Sequence, residues 1–229
     1  MKPLHLYHIL TLGAMLLSLS ACNGILDGIY DQPRTTNGYG FNPNSDGVTG
    51  TLFIDATDYA QWTYINLHTE EIDSTRITDE NGTEVPMGDN ATGIPTDWDF
   101  AIHRYDVKTN GGAVLESAAT SMDAVLLMSS IPTGNYVSDT ETEITIDMSG
   151  MMDGNILYAT SSYNAELAKW LNVDTSTMPP IYTLSNKVYI LRLKDGTHAA
   201  LRLEAFRNEQ NTSGYLTIEY AYPLEEAIN

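Results

Sequence analysis

The sequence predicts an all-β protein, folded as a single antiparallel β domain with one short helix. Several runs rich in β-branched and aromatic residues alternate between apolar and polar positions, which is typical of strands with one buried face. They are residues 50–56, 59–67, 98–107, 144–148, 181–184, 187–193, 199–206 and 215–222. Lys194-Asp195-Gly196-Thr197 has the composition of a hairpin turn between two of these runs.

One segment departs from this alternation and predicts the helix. Within residues 161–171, four apolar side chains share one helical face: Tyr163, Leu167, Trp170 and Leu171. Ser162 is a suitable N-cap residue for it. We therefore expect the short helix at this position.

The N-terminus has the features of a lipoprotein signal peptide. Lys2 precedes an uncharged apolar run at residues 9–19, which is shorter than the roughly 20 residues of a membrane-spanning helix. Leu19-Ser20-Ala21 then leads into Cys22, the only cysteine of the chain. We expect cleavage before Cys22 and attachment of a diacylglycerol to its thiol.

The predicted organisation has three parts. Residues 1–21 are the signal peptide, residues 22–48 the lipidated N-terminus and a flexible tether, and residues 49–229 the folded domain. Turn-forming residues dominate the tether, which lacks apolar periodicity. Because one cysteine cannot form an intrachain disulfide, the domain depends on an apolar core, for which about 180 residues suffice.

Charge and motifs exclude several classes of function. A net charge of −19 argues against binding to nucleic acid or to anionic lipid, which leaves the lipid anchor as the membrane contact. No HExxH, GxSxG or Gly-rich phosphate motif is present, so we do not expect an enzyme. His68, His103 and His198 lack metal-ligand spacing. His103 is expected to be a hydrogen-bonded sheet residue, and Arg104 is expected to pair with Asp106.

The methionines are the unusual feature of the sequence. Met148, Met151 and Met152 crowd into residues 147–154, and Met178 precedes two prolines. Core methionines usually fill gaps inside regular elements, whereas these lie in segments marked by Gly and Pro. Soft, apolar side chains on loops indicate a greasy ligand or a soft metal. Composition alone still favours core packing.

The chain resembles the HmuY-like family of haem-binding surface lipoproteins. The strings that carry the resemblance are WDFAIHRYDV (98–107), GGAV (111–114), IPTG (131–134), YTLSNKVY (182–189), KDG (194–196) and TIEYAYP (217–223). The resemblance implies a hand-like β domain whose loops close on haem. It also implies capture of haem from host haemoproteins and delivery to a TonB-dependent receptor of the outer membrane. The expected location is the cell surface, by a lipid anchor in the outer membrane, with shedding as a soluble form.

The family's iron ligands do not carry over unchanged. The best-known member uses two histidines, one directly after a turn that matches Met152-Asp153-Gly154 and one in the loop that here contains Met178. The first position is Asn155 in this chain. The resemblance to relatives with a methionine pair predicts Met151 and Met178 as axial ligands, with ferrous haem preferred. Met152 is the alternative, because adjacent residues of an extended loop point to opposite sides.

Two matters stay open at this level. The haem propionates could meet Lys169 or Lys187, or hydroxyls in or near the loops, namely Tyr158, Thr175, Ser176 and Thr177. The competing hypothesis is a surface β domain that binds glycan or protein without haem. A hydrolase is the least favoured hypothesis, because the sequence has no catalytic motif.

Overall fold

The computed structural model describes residues 38–59, 61–78, 84–85 and 94–224 of the 229-residue chain. Antiparallel strands dominate these residues, which confirms the predicted all-β class. The predicted signal peptide and Cys22 lie outside them. No helix in the described part of the chain is long and apolar enough to cross a bilayer.

The regular elements follow in chain order. They are β1 (Gly40–Pro43), β2 (Thr49–Asp55), β3 (Gln61–Asn66), β4 (Glu71–Thr78), β5 (Glu84–Val85), β6 (Phe100–His103), β7 (Asp106–Thr109), β8 (Ala113–Glu116), α1 (Met122–Leu126), β9 (Val137–Ser138), β10 (Thr140–Gly150), a 3-10 helix (Met151–Asp153), β11 (Asn155–Tyr163), a second 3-10 helix (Leu167–Trp170), β12 (Leu171–Asp174), β13 (Ile181–Leu184), β14 (Tyr189–Arg192), β15 (His198–Arg207) and β16 (Ser213–Ala221).

Two antiparallel sheets form what we call the body. The larger sheet has the strand order β1-β2-β16-β15-β14-β8-β9, and the smaller has the order β5-β4-β3-β6-β7. Side chains from the facing sides of the two sheets form the main core. Leu52, Leu201 and Ile218 enter it from the larger sheet, and Ile65 and Ile102 from the smaller one.

The other face of the larger sheet is covered by α1. Ser121 caps this helix, since its side chain accepts a hydrogen bond from the backbone N–H of Ala124. Met122 and Val125 then pack against Ile190 of β14. Helix and sheet thus bury a second apolar cluster.

The helix predicted over residues 161–171 does not form. Most of this segment is the end of β11, a 3-10 helix and the start of β12. Asn164 Oδ1 accepts a hydrogen bond from the backbone N–H of Leu167 (2.9 Å), the first residue of the 3-10 helix. Leu167 and Trp170 are both buried there, and one turn therefore accounts for the apolar spacing.

Two strand boundaries also differ from expectation. Residues 98–107 form β6 and β7 rather than one strand, because the chain reverses at Arg104, whose φ is +52°. β1 lies inside residues 22–48, the predicted tether, and pairs with β2 from Gly40↔Phe53 to Pro43↔Gly50. The sheet therefore begins before residue 49. The sequence did not indicate β1 because an edge strand can pair through its backbone without an alternating pattern of side chains.

The turn at residues 194–197 is confirmed. The backbone N–H of Leu193 donates to the carbonyl of Thr197 (2.8 Å). Gly196 has a φ of +90°, which glycine adopts without steric cost. This turn fixes the register between β14 and β15.

Candidate functional site

Two hairpins stand apart from the sheets of the body. The first hairpin is β10–β11 and the second hairpin is β12–β13, and each is a two-stranded sheet of its own. A two-stranded hairpin is marginally stable in water by itself. Each hairpin therefore depends on contacts between its base and the body.

The first hairpin packs its base on the smaller sheet. Ile144 and Ile146 of β10 are buried against Trp62 and Tyr64 of β3. Lys108 is buried beneath the same aromatic group, with its Nζ 4.2 Å from the Trp62 ring centroid. The apolar contacts of Ile144 and Ile146 attach β10 to the body, whereas the cation–π contact of Lys108 lies within the smaller sheet.

A polar clamp closes the base of the first hairpin. Asp139 precedes β10, and Asn164 follows β11. Asn164 Nδ2 donates to Asp139 Oδ1 (2.8 Å) and to the carbonyl of Val137 (3.0 Å). Thr109 donates to the same carboxylate from its backbone N–H (2.6 Å) and its hydroxyl (3.0 Å). Because Thr109 belongs to the smaller sheet and Val137 to the larger, the clamp joins both sheets to the hairpin.

Burial is the main influence on the carboxyl of Asp139. Removal from water raises the pKa of Asp139, although the hydrogen bonds from Asn164 and Thr109 oppose the rise. A carboxylate that keeps three such donors at a hairpin base fixes the direction in which the hairpin leaves the body.

The second hairpin packs its base on the main core. Leu171 and Tyr182 are buried, and the Tyr182 ring lies 4.8 Å from that of Phe206 on β15. The backbone N–H of Ser185 donates to the carbonyl of Trp170 (2.9 Å) and closes this base.

The bases of the two hairpins line one hollow. It has a volume of about 430 Å³. Tyr163 of the first hairpin and Leu171 and Val173 of the second lie on its walls, together with Tyr105 from the β6–β7 turn. The two hairpins therefore start from adjacent positions on the body.

The tip of the first hairpin exposes two methionines. Met151 and Met152 lie in the 3-10 helix, where Met151 is 36% and Met152 91% exposed. A Cβ on Gly150 would lie 2.6 Å from the carbonyl oxygen of Asn155, and Gly154 has a φ of +77°. The two glycines permit the tight turn. Successive residues of a 3-10 helix are rotated by about 120°, so the expected extended loop with opposed methionines is wrong.

The tip of the second hairpin exposes Met178, which is 77% accessible. Asp174 Oδ1 accepts a hydrogen bond from the backbone N–H of Ser176 (2.9 Å), and the hydroxyl of Thr177 donates to the carbonyl of Pro179 (3.0 Å). The peptide bond between Met178 and Pro179 is cis. The two hydrogen bonds shape the turn that presents the Met178 thioether.

Core packing explains some methionines but not those at the tips. Met122 is buried and Met128 packs against the same cluster beside α1. Met148 is half-buried in β10. Exposed thioethers on loops remain without a packing role, so the assignment of Met151 and Met178 as ligands stays a prediction.

The first hairpin also exposes apolar residues that the sequence did not single out for this purpose. Leu157 is 53% and Tyr158 51% exposed on β11. They extend the apolar surface beside the methionines. Because both faces of this strand meet solvent near the tip, no alternating pattern could have revealed Leu157.

The polar residues of the WDFAIHRYDV string hold the body together. His103 is buried, and its ring nitrogens contact Asp106 Oδ2 (3.1 Å) and the carbonyl of Tyr59 (2.6 Å). This confirms its structural role. Arg104 does not pair with Asp106 as expected; its Nη1 donates to the carbonyl of Thr57 (2.9 Å). The turn at Arg104 directs its side chain there while His103 takes Asp106.

Other ligand sets are not assembled in the part of the chain that the structure describes. No group of three or more His, Cys, Asp or Glu side chains there is placed to hold a metal ion. The soft sulfur atoms at the hairpin tips are the candidates for a metal-containing ligand.

Comparisons with known proteins agree with this architecture. The model of the HmuY protein family matches residues 58–220. A protein from Bacteroides vulgatus described as HmuY-like and haem-binding is 51% identical, with 82% of this chain and all of that one covered and a TM-score of 0.73. A protein from Bacteroides fragilis described as a lipoprotein is 48% identical, with 84% and 100% covered and a TM-score of 0.73.

A more distant structure has the same fold. The apo HmuY analog of Tannerella forsythia is 26% identical, with 76% of this chain and 94% of that one covered and a TM-score of 0.62. None of the curated proteins matches the chain.

Proposed function

Because this chain belongs to the HmuY family, we propose that it binds haem between the tips of its two hairpins. Met151 and Met178 are the proposed axial ligands of the iron, with Met152 as the alternative at the first position. The protein is thus proposed to be a haem carrier rather than an enzyme.

The exposed methionines carry this proposal. Met151, Met152 and Met178 occupy the tips of two hairpins whose bases line one hollow. Leu157 and Tyr158 add apolar surface at the first tip. Exposed apolar groups of this size are unfavourable in water unless a ligand covers them. The haem macrocycle is apolar and would gain most of its affinity from such burial.

Thioether ligation would select the oxidation state of the haem. Sulfur of methionine is a soft, neutral ligand, and axial methionine raises the potential of haem iron. A pair of methionines should therefore favour ferrous over ferric haem. Such a preference suits a reducing habitat.

The haem propionates are anions and require hydrogen-bond donors. Because the chain is strongly acidic, neutral donors such as hydroxyls are needed beside its few cationic side chains. Ser176 and Thr175 lie at the second tip and are exposed. Thr177 already donates its hydroxyl proton to a backbone carbonyl. Lys169 is engaged with Glu166, and this hydrogen bond raises the pKa of Lys169. The hydroxyls of Thr175, Ser176 and Tyr158 are therefore the better candidates.

The proposed cellular role rests on the predicted signal peptide and on what is expected of the family. We propose that Cys22 carries a lipid that holds the domain at the outer membrane, exposed on the cell surface, with shedding as a second, soluble form. The domain would take haem from host haemoproteins and pass it to a TonB-dependent receptor. Replacing Cys22 by alanine should move the protein from the membrane to the soluble fraction, and unchanged retention would contradict the anchor.

A haem titration tests the central proposal. The purified protein should give a low-spin spectrum with haem in dithionite and bind ferric haem at least about tenfold more weakly. Met151→Leu and Met178→Leu keep the apolar volume but remove the sulfur. Each should convert the ferrous complex to a high-spin spectrum.

The control variant is Leu157→Ala, which removes apolar surface from the first hairpin without touching a sulfur. It should weaken binding but keep the low-spin spectrum. If Met151→Leu leaves the spectrum unchanged and Met152→Leu abolishes it, the first ligand is Met152. Unchanged spectra in all three methionine variants would refute ligation by the tips.

A further inference from the structure

Methionine is the residue through which this chain can undergo reversible sulfur oxidation. Cys22 is the only cysteine, and its thiol is proposed to carry the lipid anchor. The thioether of methionine reacts with a peroxide to give methionine sulfoxide, which methionine sulfoxide reductases convert back. The rate of oxidation follows the exposure of the side chain, because the peroxide must reach the lone pair of the sulfur atom.

The structure divides the methionines into two groups by exposure. Met152 and Met178 are exposed over most of their surface, and Met151 is exposed to a smaller extent. Met122 is buried against the larger sheet, and Met128 packs against the same apolar cluster. A peroxide in solvent therefore reaches the sulfur atoms at the hairpin tips more readily than those of the body.

The local structure of each tip keeps its methionines at the surface. Met151 and Met152 are successive residues of the 3-10 helix between β10 and β11. Met178 lies in the turn between β12 and β13, where the hydroxyl of Thr177 donates to the carbonyl of Pro179 (3.0 Å). Because these side chains project into solvent, an oxygen atom added to an exposed sulfur would meet water rather than packed atoms. The fold should therefore tolerate the modification.

We propose that the tip methionines, Met151, Met152 and Met178, are a site of reversible oxidation that switches haem binding off. Hydrogen peroxide would transfer an oxygen atom to the thioether. The S–O bond forms as the O–O bond breaks, the sulfur is oxidised by two electrons and the peroxide is reduced to water. In the reverse reaction two thiols of a reductase are oxidised to a disulfide, and the sulfoxide oxygen leaves as water.

Oxidation would act on the atoms that are proposed to bind the iron, so the switch rests on the proposed function. A sulfoxide presents a hard oxygen in place of a soft sulfur and is a poor ligand for ferrous haem. It is also polar, and covering it with the apolar macrocycle is unfavourable. Both changes lower the affinity of the oxidised tips for ferrous haem.

Peroxide treatment of the Cys22→Ala protein tests the proposal, since this variant has no thiol that competes for the oxidant. Peptide mass spectrometry should find sulfoxide at the tip methionines at a peroxide dose that leaves Met122 reduced. Oxidation of Met152 and Met178 should be at least about tenfold faster than that of Met122. After removal of the peroxide by gel filtration, the affinity for haem in dithionite should be at least about tenfold lower and the low-spin spectrum should be lost.

Rescue and a matched variant separate the switch from general damage. Methionine sulfoxide reductases for both sulfoxide epimers, supplied with dithiothreitol, should restore the low-spin spectrum. The unfolding temperature should stay the same before and after oxidation. Met128→Leu removes a methionine of the body with little change in volume, and this variant should lose haem binding at the same peroxide dose as the parent protein.

The outcomes distinguish this inference from the proposed haem site. Oxidation of Met122 as fast as that of Met152 and Met178 overturns the modification site. Retention of the low-spin ferrous spectrum after complete oxidation of the tip methionines overturns the switch, as does a loss that the reductases do not reverse. The haem site itself is judged on the protein before oxidation: without a low-spin complex there, the proposed function and the switch fail together.

Discussion

The body and the two hairpins use methionine in opposite ways. Met122 is 8% exposed in the first turn of α1, where its side chain fills space between the helix and the larger sheet. Met152 is 91% and Met178 77% exposed at the hairpin tips. The difference teaches that residue type alone does not assign a role. What separates the two groups is the surrounding sequence, since each tip methionine lies within two residues of a glycine or a proline.

Polar residues of the WDFAIHRYDV string form hydrogen bonds within the body. Asp99 Oδ2 accepts a hydrogen bond from the backbone N–H of Leu67 (2.7 Å), and His103 contacts Asp106 (3.1 Å). The string by which the chain resembles its family therefore builds the scaffold. The groups proposed to bind haem lie elsewhere, on hairpins that the scaffold orients.

The largest expected effect is loss of a core aromatic residue in the body. Phe206 is fully buried against Tyr182, and Phe206→Ala should lower the free energy of unfolding by about 3–5 kcal/mol. Leu157→Ala, at the first hairpin, should change it by less than about 0.5 kcal/mol. Urea unfolding followed by tryptophan fluorescence measures both. Equal costs for the two variants would mean that the hairpin is part of the core.

The clamp joins the body to the first hairpin. Its loss should have the second-largest effect on the free energy of unfolding. Asp139→Ala leaves the donors of Thr109 and Asn164 without an acceptor, which should cost about 2–4 kcal/mol of unfolding free energy. It should also weaken haem binding, because the first hairpin loses its fixed direction. Asp153→Ala, at the tip, is the matched control and should leave stability unchanged. Wild-type stability in Asp139→Ala would show that the clamp contributes nothing.

The sequence predicted the body better than the hairpins, and the reason is physical. β2, β15 and β16 alternate between buried and less buried residues over part of their length, and β3 and β14 are almost entirely buried, so their apolar residues mark them in the sequence. β11 has exposed residues on both faces and leaves no such pattern. The clamp between Asp139 and Asn164 joins residues 25 positions apart, and no local spacing encodes it.

The turns that carry the candidate methionines were predictable from the sequence, but their geometry was not. Gly150 and the prolines after Met178 marked the segments as turns, which correctly located both tips. The 3-10 conformation of Met151 and Met152 depends on the close approach of Gly150 to Asn155. Such a contact forms only once the hairpin register is set.

The two groups of methionines should respond in opposite directions to the same substitution. Met122→Ala should cost about 2 kcal/mol of unfolding free energy, because it leaves a cavity beside α1. Its haem spectrum should stay that of the wild type. Met178→Ala should keep wild-type stability within about 0.5 kcal/mol and lose the low-spin ferrous spectrum. Thermal unfolding and a haem titration measure the two properties of each variant. If one variant lost both stability and the low-spin spectrum, the two groups of methionines would not have separate roles.

The smallest expected effect is a pH dependence confined to the body. His68, in the turn between β3 and β4, bridges two carboxylates, with Nδ1 3.1 Å from Asp99 and Nε2 3.0 Å from Asp195. Burial alone would lower the pKa of His68, but hydrogen bonds to Asp195 and Asp99 outweigh it and raise the pKa above its usual value. Hydrogen bonds from Thr197 and His68 lower the pKa of Asp195 to about 2.

The direction of the pH effect follows from linkage. Because the folded-state pKa of His68 is raised, its contribution is fully present below about pH 6.5 and is lost as pH rises through the folded-state pKa. His68 is 39% exposed, so solvent screening limits the loss to about 0.5 kcal/mol. His68→Gln should flatten the stability profile between about pH 6 and 8. A wild-type slope in His68→Gln would mean that the bridge between the two sheets does not depend on the charge of His68.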